Sequence, residues 1–240
     1  MPRFFTADVS GNSIITTGED ARHIGYSLRM KPGDEITFCN SGTEYICRIS
    51  EMTSDSVVSG IVETRPTESE PTVFLTLYQA YPKSDKLELI VQKAVELGVS
   101  RIVPFTSKRC VAKPPADKGG AKRTERLNKI ALEAAKQSGR GMVPEVTAPM
   151  TFREALEDMK RSEVKLFCYE NGGIRIAEAG IDSEKSIAVM VGSEGGFDRD
   201  EAEMAEAAGA KNIWLGKRIL RCETCPIAVS AIVMQLSGNM

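Results

Sequence analysis

Two stretches decide how this chain is read: Val191-Gly192-Ser193-Glu194-Gly195-Gly196-Phe197 and Leu215-Gly216-Lys217-Arg218-Ile219-Leu220-Arg221-Cys222-Glu223-Thr224. Each follows a short apolar run, 186–191 and 211–215, with the composition of a buried strand. Each sets glycine where backbone must approach something closely, next to charged residues that a core would not choose. Two glycine-bearing loops leaving neighbouring strand ends predict a ligand pocket made largely of main chain.

Outward from these loops, strands and helices alternate. Strands are expected at 73–79, 101–105, 164–169, 186–191 and 211–215, with helices at 85–97, 123–138, 151–160, 199–208 and 226–236. In the first helix Leu87, Ile90, Val91, Ala94 and Leu97 form an apolar stripe closed by Gly98. Asp198-Arg199-Asp200-Glu201 has the form of a capping box, Gly209 ends that helix, and Pro226 marks the first turn of the last one. Alternation of this kind implies an α/β layer fold with a mostly parallel sheet.

Residues 1 to about 66 read differently. Short strands at 3–9, 13–17, 35–39, 44–49 and 57–62 are divided by turn signals and one helix over 19–30, which together predict a small β-barrel-like module. The stretch 65–71, with two prolines and few apolar residues, reads as a linker.

The 240 residues include 42% apolar and 27% charged side chains, enough for one large or two modest cores. No stretch approaches the roughly 18 apolar residues of a membrane span, and the N-terminus lacks a secretory apolar run. Six cysteines at 39, 47, 110, 168, 222 and 225 are too sparse for a disulfide scaffold and point to a cytosolic, cytoplasmic protein with reduced thiols.

A net charge of −2 conceals segregation. Residues 108–140 hold ten Lys/Arg against Asp117, Glu125 and Glu133, a balance of +7, whereas 141–210 hold seven basic and fifteen acidic residues, a balance of −8. The basic segment is either a solvated helix face or a phosphate-binding surface.

The 192–196 loop matches neither G-x-G-x-x-G nor a Walker A loop, and Glu194 inside it disfavours a polyanionic ligand, so a neutral or cationic ligand suits it better. Its plain alternative is a strand-to-helix turn. Cys222-Glu223-Thr224-Cys225 is formally a C-x-x-C motif. It lacks the N-terminal βαβ setting of a redox pair and the four ligands of a zinc site, so the two thiols read as packing residues. The lone His23 has no partners for nucleophilic catalysis and reads as structural. Arg218, Arg221 and Glu223 flank Ile219-Leu220 beyond a strand end, where an open α/β sheet puts functional loops; a surface salt-bridge cluster is the alternative.

Taken together these residues resemble the RsmE family of small-subunit ribosomal RNA uridine-N3 methyltransferases, within the SPOUT class. The resemblance runs over nearly the whole chain. It includes His23-Ile24 with Leu28-Arg29-Met30, then Gln92-Lys93-Ala94-Val95-Glu96-Leu97-Gly98-Val99 and Ser107-Lys108-Arg109-Cys110. It continues through Ala134-Ala135-Lys136-Gln137-Ser138-Gly139-Arg140 with Pro144, and ends in the two loops quoted first. It departs from the family at Ser193, where proline is usual, and at Cys225-Pro226, where alanine more typically follows Glu-Thr.

That resemblance implies an N-terminal PUA-like β-barrel over 1–70 that holds RNA, and a SPOUT α/β domain over 71–240 with a deep trefoil knot. It implies a homodimer that uses S-adenosylmethionine to methylate N3 of one uridine in 16S ribosomal RNA of the small ribosomal subunit. The cofactor contacts it implies are Tyr169, Gly192, Glu194, Gly195, Gly196, Leu215, Gly216, Ile219, Leu220 and Thr224. Arg221 is the implied group that orients uracil, and Glu223 orients Arg221 or accepts a proton. Arg29, Lys108, Arg109, Arg123, Arg140 and Arg218 are the implied RNA contacts. The competing expectations are a SPOUT methyltransferase with another RNA target, an RNA-binding assembly protein without catalysis, and a redox protein.

Overall fold

A computed structural model describes residues 2–6, 9–114, 118–182 and 185–240, the side chain of Lys118 excepted. Of the sequence expectations, Ala7 and Asp8 in the first strand and Asp117 with the Lys118 side chain in the basic segment lie outside the described residues. The chain forms two compact units: Met1–Glu70 with Ala135–Met142, and Pro71–Ala134 with Val143–Met240. None of the described helices is long and apolar enough to cross a membrane.

In the first unit, β1 (Arg3–Phe5), β2 (Ser13–Thr17), α1 (Gly18–Arg22), β3 (Glu35–Asn40), β4 (Thr43–Met52) and β5 (Ser56–Pro66) build a sheet in the order β1-β3-β4-β5-β2. Among the described residues β1 and β2 stand at the two ends of this ladder. Alternating residues of these strands, including Phe4, Ile14, Ile36, Phe38 and Val57, close on Ala21 and Ile24 as one core. The helix expected over 19–30 breaks sooner: α1 passes into a π-helical turn, His23–Ser27, and Arg29 ends it at φ 55°.

The linker reading of 65–71 is corrected. Arg65 and Pro66 complete β5 opposite Glu44 and Thr43, because buried Glu44 holds both Arg65 (3.0 Å) and Arg3 (2.6 Å). Thr67 donates its N–H to Gly42, and Glu70 is ion-paired to Arg140.

The second unit contains β6 (Phe74–Ala80), α2 (Lys86–Glu96), β7 (Arg101–Thr106) and α3 (Lys118–Ser138), whose last residues cluster with the first unit. It continues with β8 (Glu145–Val146), β9 (Met150–Thr151), α4 (Phe152–Met159), β10 (Val164–Cys168) and β11 (Ile174–Arg175). The chain ends through β12 (Ser186–Val191), α5 (Arg199–Ala207), β13 (Lys211–Trp214) and α6 (Thr224–Leu236). The sheet runs β11-β13-β10-β12-β6-β7-β8, with β9 beside β7, and every described pairing in it is parallel.

Buried apolar runs explain the middle strands: Leu75, Leu77, Val103, Val189 and Met190 are almost wholly removed from water. Helix α2 buries the stripe Leu87, Ile90, Val91 and Ala94, while the capping boxes Thr151–Glu154 and Asp198–Glu201 start α4 and α5. Helix α3 begins at Lys118 rather than at 123 and runs through Gly119 and Gly120, against glycine's poor helix propensity. Helix α6 begins two residues before Pro226, which still lies in its first turn, where no N–H is needed.

Candidate active site

A cleft of about 650 Å³ opens at the C-terminal ends of β10, β12 and β13. Its walls are the turn after β12, the stretch after β13 and the end of β10 with Tyr169 and Glu170. The sequence-expected cofactor contacts Tyr169, Gly192, Glu194, Gly195, Gly196, Leu215, Gly216, Ile219 and Leu220 all line it. Thr224 does not; it is the first residue of α6. A groove of about 800 Å³ elsewhere in this unit centres on Arg101 and Asp158, which already satisfy each other at 2.6 Å, with Tyr78 donating to Asp158 at 2.9 Å. It contains none of the candidate residues.

The glycine turn is held from within. Gly196 donates its N–H to Ser193 O at 3.0 Å and has φ +64°, the left-handed region that favours glycine. A Cβ on Gly195 would lie 2.9 Å from both Cβ and O of Arg109, and one on Gly192 would lie 3.2 Å from Gly196 Cα. The close approach expected of these glycines is therefore made to the protein's own chain, above all to Arg109. Phe197 anchors the turn in the core among Phe105, Phe152 and Phe167, the last at 4.3 Å between centroids. Burying such a ring contributes roughly 1.5–3 kcal/mol. Gln79, fully buried on β6, donates Nε2 to Gly192 O at 3.2 Å and fixes the turn's first residue.

The two loops are joined by a residue that loop-by-loop reading missed. Lys86, in the first turn of α2, places Nζ 3.0 Å from Glu194 Oε1 and 3.1 Å from Glu223 Oε2. Glu194 also accepts the backbone N–H of Lys83 at 3.1 Å. Burial works to raise the Glu194 carboxyl, but its own N–H, the Lys86 ammonium and the Lys83 N–H outweigh it and hold it below the usual range. For Glu223 burial is likewise outweighed, by the Cys222 thiol, its own N–H and Lys86. The same two carboxylates, Glu194 first, push Lys86 up. The sequence signal was a lysine opening an amphipathic helix, which is ordinarily a solvated position.

The C-x-x-C cysteines do not partner each other. Cys222 donates to Glu223 at 3.2 Å and lies 3.6 Å from Lys86 Nζ; burial, with Glu223 and Glu194 nearby, pushes its thiol up to about 12. The Cys225 thiol lies instead beside that of Cys168, and its hydrogen bonding together with burial raises Cys168 well above its usual value. All six cysteines are free, and no metal-holding cluster occurs among the described residues.

The basic candidates divide sharply. Arg140, with a side chain only 3% exposed, forms a two-pronged pair with Glu70 (2.9 and 2.8 Å), so its guanidinium has no face left for a phosphate. Arg123 is committed to Glu88 at 2.8 Å and reaches Asp85 at 3.7 Å. Both sequence-expected RNA contacts thus already balance buried or half-buried carboxylates of the chain itself. Lys108 pairs with Asp198 and Asp200, and Arg109 donates to Gly195 O at 3.3 Å, so the pair braces the glycine turn and the start of α5. Arg29, Lys217 and Arg218 are exposed and make no ion pair among the described residues. Arg221 is 83% exposed and stands 4.0 Å from Glu223.

A sequence model of the RNA methyltransferase domain matches residues 68–234, and one of the RNA methyltransferase PUA domain matches 16–62. The chain is 36% identical to ribosomal RNA small subunit methyltransferase E of Bacillus subtilis over 91% of this chain and 89% of that one. It is 34% identical to the protein of the same name from Mesomycoplasma hyopneumoniae, over 95% and 96%. Among solved structures it superposes on ribosomal RNA small subunit methyltransferase E from Neisseria gonorrhoeae bound to S-adenosyl methionine. The TM-score is 0.90 and the identity 32%, over 99% of this chain and 98% of that one.

Proposed function

The chain belongs to the RNA methyltransferase family, in its ribosomal RNA small subunit methyltransferase E branch, and we propose that it methylates N3 of one uridine in 16S ribosomal RNA using S-adenosylmethionine. The observation that carries this reading is the cleft beyond β10, β12 and β13. Glycine main chain and the apolar Val191, Ile213, Leu215 and Leu220 wall it together with charged side chains, its glycine turn holds a carboxylate where a phosphate loop would hold lysine, and the buried Ser193 hydroxyl beside it has no partner among the described residues. These features suit a phosphate-free, cationic nucleoside.

When bound, the cofactor supplies a methyl group already activated by its sulfonium, which leaves the protein chiefly the task of alignment. Leu215 and Leu220 line the cleft, and main-chain groups at these positions are our choice to read adenine. Leu220 supplies the apolar packing, since Ile219 is 88% exposed. Uracil N3 lies on the Watson–Crick edge, so the target base must be unpaired or splayed before it meets the cleft.

Arg221, exposed at the rim, is the group that orients uracil and stabilises negative charge on its carbonyl oxygens as the N3 proton leaves. Glu223 serves as a positioning residue: it shares the Lys86 ammonium at 3.1 Å and stands 4.0 Å from Arg221. Lys217, Arg218 and Arg29 carry the exposed charge for RNA phosphates. The expected outcome of Arg221→Ala is cofactor affinity within about twofold of wild type and methyl transfer reduced roughly 100-fold or more. Titration calorimetry and a labelled-methyl assay measure the two, and unchanged turnover would remove Arg221 from the mechanism.

The proposal extends to the finer architecture. We assign RNA holding to the PUA-like domain at 1–70 and methyl transfer to a SPOUT domain at 71–240. The insertion of β13 between β10 and β11 supports a chain that threads into a trefoil knot there. Homodimerisation draws support from α6, where Ile227, Ala231 and Ile232 stay only half-buried although the helix is apolar nearly all round. The cytoplasm, where ribosomal RNA is met, is the proposed location.

A further inference from the structure

Three carboxylates belong to the cleft region, and their surroundings differ. Glu194 and Glu223 share the single ammonium of Lys86 and accept further hydrogen bonds from Lys83 N–H and the Cys222 thiol. Glu170, two residues beyond β10, lines the same cleft, and no hydrogen bond or ion pair reaches its carboxylate among the described residues. Its place is nevertheless defined. A Cβ built on Gly196 would lie 3.1 and 3.2 Å from its two oxygens, so the carboxylate is folded over the glycine turn, and any larger residue there would displace it. Glu170 is exposed, so water screens part of its charge, but an anion without a protein partner at the wall of the cleft still creates a local field that favours a cation.

We propose that Glu170, rather than the loop glutamate Glu194, is the carboxylate that reads the donor's positive charge and distinguishes the sulfonium from the neutral thioether left after transfer. The inference rests on the assignment of this cleft to S-adenosylmethionine. A sulfonium has no N–H or O–H, so hydrogen-bond geometry cannot select it. An anion whose charge is not already answered can select it through space. Lys86 answers Glu194 and Glu223 in part, which leaves Glu170 as the source of the discriminating field. The rim cations Lys217, Arg218 and Arg221 line the same cleft and oppose that field; like Glu170 they are exposed, so water screens both signs, and Glu170 is set apart by its fixed place over the glycine turn. The consequence is a donor held more tightly than its product, which favours exchange after each turnover.

The test is titration calorimetry of wild type, Glu170→Gln and Glu170→Asp with S-adenosylmethionine and, separately, with S-adenosylhomocysteine. Melting of each unliganded protein is the folding control. Glu170→Gln is expected to weaken S-adenosylmethionine roughly five- to tenfold and leave S-adenosylhomocysteine within about twofold. Glu170→Asp, which keeps the charge, should retain most of the preference. An equal loss for both ligands would mean that Glu170 contacts a hydroxyl or ammonium common to both, and would overturn the proposal, as would no loss for either. Failure of the wild-type protein to bind S-adenosylmethionine at all would instead overturn the assignment of the cleft.

Discussion

Lys86 concentrates the chemistry of the site in one side chain. Glu194 and Glu223 arrive from different loops, and without the ammonium between them they would face each other as like charges. Lys86→Met is therefore expected to weaken S-adenosylmethionine binding at least tenfold while the fold persists, as read by calorimetry beside circular dichroism. The pH dependence follows from the directions of the shifts. The two carboxyls are depressed, so their contribution is complete above about pH 4–5, where they ionise even in the unfolded chain. It is lost as pH falls through their lowered values. Lys86 is raised, so its contribution is complete below about pH 10 and is lost as pH rises through its higher value. The stability that the clamp contributes should thus stay flat from roughly pH 5 to 10, read as the difference in melting between wild type and Lys86→Met across pH; a midpoint near neutrality in that difference would contradict the clamp. At this scale the charged residues of the second loop were legible because charge beside buried strands demands a reason. Lys86 was not, because nothing in a helix sequence says which distant carboxylates its first turn will meet. The cysteines are the counterpart case: a spacing that reads as a pair is divided in space, Cys222 toward Glu223 and Cys225 toward Cys168.

Among elements, the glycine turn shows what a strand-to-helix connection requires here. It is pinned by Phe197 below, Gln79 behind and Arg109 alongside, and it ends in a complete capping box. Gly195→Ala would push a Cβ to 2.9 Å from the Arg109 backbone, which cannot yield as a flexible side chain would. We expect a loss of about 1–3 kcal/mol, a fall in Tm of roughly 2–4 °C for each of those, and loss of cofactor binding. Gly60→Ala, with open space at its Cβ, is the matched control expected to leave binding unchanged. Thermal melts with and without cofactor check both. The long strands, the apolar stripe of α2 and the Asp198 box were legible because periodicity and capping are local. The two-residue strands β8, β9 and β11 were not, since so few residues show no period and exist only through their neighbours. The break of the first helix into a π-helical turn, and the persistence of α3 through Gly119-Gly120, are likewise set by packing over local propensity.

For the whole molecule, the segregation of charge was visible along the chain, but its meaning was not. Much of the +7 in 108–140 is answered internally: Arg140 by Glu70, Arg123 and Arg126 by Glu88, and Lys108 by Asp198 and Asp200. Among the sequence-expected RNA contacts, Arg218 and Arg29 are exposed and make no ion pair among the described residues, so salt-sensitive RNA affinity should respond to Arg218→Ala far more than to Arg123→Ala. A filter-binding salt series checks this, and equal responses would return the basic helix to the RNA surface. The grouping of Ala135–Met142 with Met1–Glu70 also escapes a reading by consecutive segments, because it depends on Glu70 meeting Arg140 across seventy residues of chain. The central claim is the reaction itself. Incubating unmethylated 30S subunits with labelled S-adenosylmethionine and the protein, then digesting the RNA to nucleosides, tests it most directly. Label in 3-methyluridine from a single site of 16S ribosomal RNA is the expected result; label in another nucleoside, or none despite bound cofactor, would contradict the proposed reaction.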